Sequence, residues 1–152
     1  MDQETKDFLD SLETENGGQI IFKTYAVLIG FSNGQNLNLG GLLYVINNTL
    51  YFEDFEKQGG LFGLMTSRKK KVYEKYKTSI DINSIENLYA VKINAAKAVA
   101  GGKLSHKKLT PVTGLQKKLF QTAVYISRAE EPGWLLEVID DKKFITIIEE
   151  QK

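Results

Sequence analysis

The side chains able to do chemistry are few and badly placed for it. The chain has one histidine, His106, in the run Ser105-His106-Lys107-Lys108, and no cysteine. A lone histidine cannot build a histidine-rich metal site, and any Ser-His-Asp triad would have to use it. No Gly-x-Ser-x-Gly elbow accompanies it, so it reads as a loop histidine. Ala100-Gly101-Gly102-Lys103-Leu104 resembles a phosphate-binding loop only faintly. Its leading glycine is missing, and Leu104 stands where a hydroxyl should hold magnesium. Glu130-Glu131, Asp140-Asp141 and Glu149-Glu150 are adjacent acids. Strand neighbours point to opposite faces, so such pairs make no acid/base couple by themselves; they read as turn, cap and surface charges. Asn47-Asn48-Thr49 has the form of a glycosylation sequon, but nothing suggests secretion. No catalytic residue, metal or cofactor is expected, and the chain does not read as an enzyme.

Charge is the remaining chemistry. A net charge of +1 conceals segregation. Residues 1–16 hold six acids and one lysine, residues 68–77 six bases and one acid, and residues 97–118 six lysines and no acid. Residues 119–152 return to an acidic balance, with seven acids and four bases. The two basic blocks are either solvated loops or an anion-binding face. Arg68, Lys69, Lys70 and Lys71 directly follow the apolar Leu61, Phe62, Leu64 and Met65. Either those apolar residues fold over one end of the core, or the loop presents apolar tips and positive charge to a membrane or partner. Lys107 and Lys108 are the candidate contacts of the second block. The near-neutral pI argues against nucleic acid, and the second block interleaves no aromatics as base-stacking platforms do.

These residues need a scaffold, and the pattern for one is strongest at Gly40–Glu56. Two apolar runs, Leu42–Ile46 and Leu50–Phe55, flank Asn47-Asn48. Asparagine tolerates the left-handed backbone of a tight hairpin turn, and Tyr, Val, Ile and Phe suit a pleated surface. Further strands are predicted near 20–31, 77–82, 87–94, 119–127 and 134–139, from alternation of apolar and polar residues. Residues 32–41, SNGQNLNLGG, read as a turn region around Asn33-Gly34. Residues 56–76 read as a first long connection and 95–118 as a second, with one helical turn at AAKAVA and a basic, mobile remainder. Trp134 reads as core. Asp140 or Asp141 is predicted to cap a last helix with Phe144, Ile147 and Ile148 on one face, a final strand being the alternative because Ile145–Ile148 are β-branched.

The fold class is therefore mainly β, a barrel or roll of seven antiparallel strands with a C-terminal helix. Residues 1–18 are an acidic helix or tail, with Phe8, Leu9 and Leu12 on one face, and 19–152 a single domain. The acidic start is not a secretory signal, and no apolar run has transmembrane length. A cytoplasmic protein is expected.

Gly41-Leu42-Leu43-Tyr44-Val45-Ile46-Asn47-Asn48-Thr49-Leu50-Tyr51-Phe52, followed by Thr78-Ser79-Ile80-Asp81-Ile82-Asn83-Ser84-Ile85-Glu86-Asn87, resembles the GRAM-like and bacterial PH-like branches of the pleckstrin-homology-like superfold. The likeness covers roughly residues 40–93. The long basic connection 95–118 departs from it. The resemblance implies two near-orthogonal sheets closed by a C-terminal helix. It also implies a binding module whose ligand is an anionic membrane surface, a phospholipid headgroup, a peptide or a protein partner, a second copy included. The membrane reading would place the protein in the cytoplasm, peripheral at the membrane. Fold alone does not choose among these ligands.

Overall fold

The structure is a computed structural model that describes residues 2–54, 76–119 and 121–152, with the side chains of 117–119 left aside. Helix α1 (Gln3–Asn16) is followed by strands β1 (Phe22–Phe31), β2 (Asn36–Ile46), β3 (Thr49–Asp54), β4 (Lys77–Asp81) and β5 (Ile85–Lys92). Then come α2 (Ile93–Ala100), a 3-10 turn at His106–Lys108, α3 (Gly114–Leu119), β6 (Thr122–Arg128), β7 (Trp134–Val138) and α4 (Asp141–Gln151). All strand pairs are antiparallel, in the order β4-β3-β2-β1-β7-β6-β5, and the sheet curls into a half-barrel. β1 is the long central strand. It pairs with β2 from Phe22 and with β7 from Ala26 onward, and both registers shift between Leu28 and Gly30. A bulge there increases local twist and bends the strand.

The concave face carries the main core. Leu28, Leu43, Val45, Leu50, Phe52, Val124, Ile126 and Trp134 meet Phe144 and Ile148 of α4. Asp140 caps α4 by accepting from the Lys143 amide at 3.1 Å, and Thr122 donates to Asp141 at 2.7 Å. The cap and the i, i+4 pair Phe144/Ile148, both buried, outweigh the unfavourable β-branched run. Trp134 is core, as its position at a strand start predicts.

The convex face is also covered, in two places. α2 lays Ile93, Ala96, Val99 and Ala100 on Ile29, Val91, Ala123 and Leu135. α1 lays Leu12 on Leu42, Tyr44 and Ile46. α1 begins at Asp2, whose carboxylate accepts from the Thr5 amide at 2.7 Å, and ends at Gly17, which has φ +71°. Side-chain capping and a left-handed glycine stop are the standard ends of a helix. The Asn47 amide ties that end to the β2–β3 hairpin by donating to the carbonyls of Asn16 and Gly17 at 3.2 and 3.0 Å.

Three local expectations are corrected. Asn36–Gly40 belongs to β2 instead of a turn, because Leu37 and Leu39 alternate with polar neighbours and Asn36, Leu39 and Gly40 pair with β1. Ile93 and Asn94 open α2 and do not extend β5. Leu119 ends α3, and the strand begins at Thr122. In the connection 95–118, AAKAVA is helical as expected, within α2, and the basic remainder adds the 3-10 turn and α3, with Leu109 buried.

Candidate anion-binding cleft

The chain leaves α2 through a tight C-terminal turn. The amides of Gly101, Gly102 and Lys103 donate to the carbonyls of Lys97, Val99 and Ala98 at 2.9, 3.0 and 2.8 Å. Gly102 has φ +75°, a conformation that costs glycine little. The turn brings Gly102 against Gly34 of the β1–β2 connection, also left-handed at φ +92°. A Cβ on Gly34 would lie 3.3 Å from the Gly102 Cα, so the two segments meet backbone to backbone. Beyond the contact, Ser105 caps the 3-10 turn by accepting from the Lys107 amide at 3.2 Å. Buried Leu109 then anchors the segment, and the Val112 amide donates to Ala90 of β5 at 2.9 Å.

Between these segments opens a cleft of about 380 Å³, with Ser32, Asn33 and Gly34 on one wall and Lys103, Ser105 and His106 on the other. Lys107 and Lys108 stand exposed beside it on the same turn. The lining offers an ammonium, an imidazole, two hydroxyls and an amide, and no carboxylate. Asn33 accepts from the Gln35 amide through its oxygen at 3.1 Å, which leaves its NH2 group as a donor. Such a set suits an anion with several acceptor oxygens.

Tyr125 of β6 reaches His106 from the sheet. Its hydroxyl lies 3.3 Å from the His106 Nδ1. Burial pushes the Tyr125 phenol up from its ordinary value, so it stays a neutral hydroxyl at physiological pH. The Ser32 hydroxyl interacts with the same phenol and accepts from the Gly133 amide at 2.8 Å. A serine, a histidine and a tyrosine thus adjoin. However, the phenol contacts both Ser32 and His106, and the ring nitrogen nearest it faces a hydroxyl and no orienting carboxylate. That is not the nucleophile–base–acid order of a triad. Among the described residues no group of three or more His, Asp or Glu is placed to hold a metal ion.

Two other hollows differ in kind. A groove of about 450 Å³ beneath the N-terminal half of α1 is lined by Phe8, Leu9, Tyr25 and Leu42, with Glu4 and Lys23 at its rim. A cleft of about 420 Å³ lies between Asn83–Glu86 and Arg128–Glu131. There the Arg128 guanidinium pairs with Glu131.

Of the predicted contacts, Lys107 and Lys108 follow the lining residue His106 on the 3-10 turn and are exposed, without lining the cleft themselves. Arg68, Lys69, Lys70, Lys71, Leu61, Phe62, Leu64 and Met65 lie outside the described residues. Sequence reasoning missed Ser32, Asn33 and Tyr125. Its two clues were the pairs Asn33-Gly34 and Gly101-Gly102, each legible as a turn, but nothing local says that the turns touch. No helix among the described residues is long and apolar enough to cross a membrane. No protein-family model matches the chain, and no curated protein matches it.

Proposed function

We propose that the chain is a non-catalytic binding module of the pleckstrin-homology-like kind, closest in pattern to the GRAM-like and bacterial PH-like branches. In this reading the sheet bends at the β1 bulge into two near-orthogonal halves. The module works in the cytoplasm, peripheral at a membrane, and its ligand is an anionic phospholipid headgroup. The supporting observation is Lys103 in a cleft rich in hydrogen-bond donors, with exposed Lys107 and Lys108 next along the chain after the lining His106, on a segment with no acid from residue 97 to 118. Each such lysine contributes about 1 kcal/mol near an anionic surface, and salt screens part of it. Three together supply about 3 kcal/mol, enough for weak, reversible association.

Cosedimentation with phosphatidylcholine vesicles, with and without phosphatidylglycerol, tests this. Binding is expected only with the anionic lipid and should weaken as salt rises. Lys103/Lys107/Lys108→Ala should bind roughly 100-fold more weakly. Equal binding to both vesicle types would refute the reading. A Lys69/Lys70/Lys71→Ala variant reports separately on the other basic block.

The groove beneath α1 favours a second reading, a protein-interaction or self-association module. Phe8 is 37% exposed and Tyr25 59%, beside the apolar Leu9 and Leu42. Sedimentation velocity over a range of concentrations, with Phe8→Asp as the control, would detect a second copy there.

A further inference from the structure

We propose that the groove beneath α1 seats the Leu115 corner of a second copy of the chain, so that copies join through unlike surfaces: apolar side chain into apolar groove, basic segment against acidic helix. This rests on the self-association reading above and names the partner surface.

The argument begins with what the fold leaves exposed. Among the described residues the large apolar side chains left exposed are Phe8, Ile21, Tyr25, Leu115 and Ile139. All but Leu115 gather at β1. Phe8 and Tyr25 line the groove. Ile21 stands four residues before Tyr25 on the same side of that strand. Ile139 follows Val138, which pairs with Ala26. Single apolar residues on a surface are ordinary, but a contiguous patch marks an interaction site.

A concave patch needs a convex partner, and Leu115 supplies one. Thr113 and Gln116 cap α3 reciprocally. The Thr113 amide donates to the Gln116 Oε1 at 2.9 Å, and the Gln116 amide donates to the Thr113 hydroxyl at 3.2 Å. Such a box fixes the first helical turn. Leu115 lies within it and is 71% exposed. Buried Leu109 and the bond from Val112 to Ala90 hold the segment to the sheet. The leucine is displayed on a fixed corner.

Charge selects the same pairing. The first half of α1 exposes Asp2, Glu4, Asp7 and Asp10 against Lys6, and the sheet wall of the groove adds Lys23. The rim is therefore acidic on balance and repels an anionic membrane. The segment that carries Leu115 has six lysines and no acid from residue 97 to 118. Complementary potentials of this kind speed encounter and fix orientation.

The contact joins different copies. The groove lies over β1 and β2, whereas Val112 is tied to β5, and β7 and β6 stand between. Each copy carries one groove and one leucine corner. Unlike surfaces joined in this way close into a ring, of which a reciprocal pair is the smallest, or extend into a filament.

The test is sedimentation velocity of the full chain, without lipid, over a range of concentrations. Wild type should associate, and about tenfold more weakly at high salt than at low. Salt-independent association would overturn the charge pairing. Leu115→Asp should weaken association at least about tenfold, the effect of losing one buried leucine. An acid suits the first turn of a helix, so this variant keeps α3. Tyr25→Lys, at an exposed strand position, should act equally from the groove side. Mixed in equal amounts, the two variants should form a one-to-one pair and nothing larger, because one keeps the groove and the other the leucine. Undiminished association of Leu115→Asp would overturn the proposal and leave the self-association reading standing. A mixture no more associated than its parts would do the same. Wild type that stays monomeric throughout would overturn both. Circular dichroism of the variants checks that the fold is retained.

Discussion

The turn at Asn47-Asn48 shows what single residues contribute. Both have left-handed backbones, with φ +50° and +60°. Asparagine pays little for that conformation. The two are not equivalent, because only Asn47 also reaches the Asn16 and Gly17 carbonyls at the end of α1. Glycine at either position keeps the turn geometry. Asn48→Gly should therefore change stability by less than about 1 kcal/mol. Asn47→Gly should cost about 1 kcal/mol more than that, through the lost tether. Urea midpoints of the two variants check this, and equal midpoints would mean that the tether contributes nothing. The hairpin was legible in the sequence because turn chemistry is local. The second role of Asn47 was not, because its partners lie across the fold.

At the scale of elements, legibility follows the same division. α4 could be read from Phe144, Ile147 and Ile148 and an acidic cap, all within two turns. The first half of β2 could not: Asn36, Asn38 and Gly40 carry turn chemistry, and pairing with β1 overrides it. The cleft was illegible because it exists only where Gly34 meets Gly102. The helix α1 shows how far an element can depend on docking. A single helix of 14 residues is marginal in water. α1 has one fully buried side chain, Leu12, and the main core contains no α1 residue. Leu→Ala at a buried site costs about 2–5 kcal/mol, but here the loss cannot exceed the docking energy of α1 itself. Leu12→Ala should therefore remove hydrogen-exchange protection from residues 3–16 and leave β6 amides such as Val124 and Ile126 protected. Parallel loss in β6 would show that α1 belongs to the global folding unit instead.

For the whole molecule, covering a seven-stranded sheet on both faces places tyrosines where their hydroxyls are dehydrated. Burial is the first cause of a raised phenol value at Tyr44, Tyr76, Tyr89 and Tyr125. At Tyr44 the hydrogen bond to Glu53 and that carboxylate's charge push the same way. Raised values fix the sign of the alkaline response. In the unfolded chain these phenols ionise near pH 10, while in the folded protein they hold their protons to higher pH. Below about pH 10 both states are protonated, and the tyrosine contribution to stability is fully present. Above it the unfolded state loses protons first, so stability falls as pH rises. The slope approaches about 1.4 kcal/mol per pH unit for each phenol that titrates only on unfolding. The urea midpoint should thus fall increasingly steeply above about pH 10. Tyr44→Phe removes the phenol with the most causes acting in one direction. It should lower the midpoint at neutral pH by about 1–3 kcal/mol in stability, since the buried Glu53 loses a donor. Its alkaline fall should also be shallower than that of the wild type. A variant with an unchanged alkaline slope would mean that Tyr44 ionises without unfolding, and that the α1-covered face of the sheet is wetter than its packing implies.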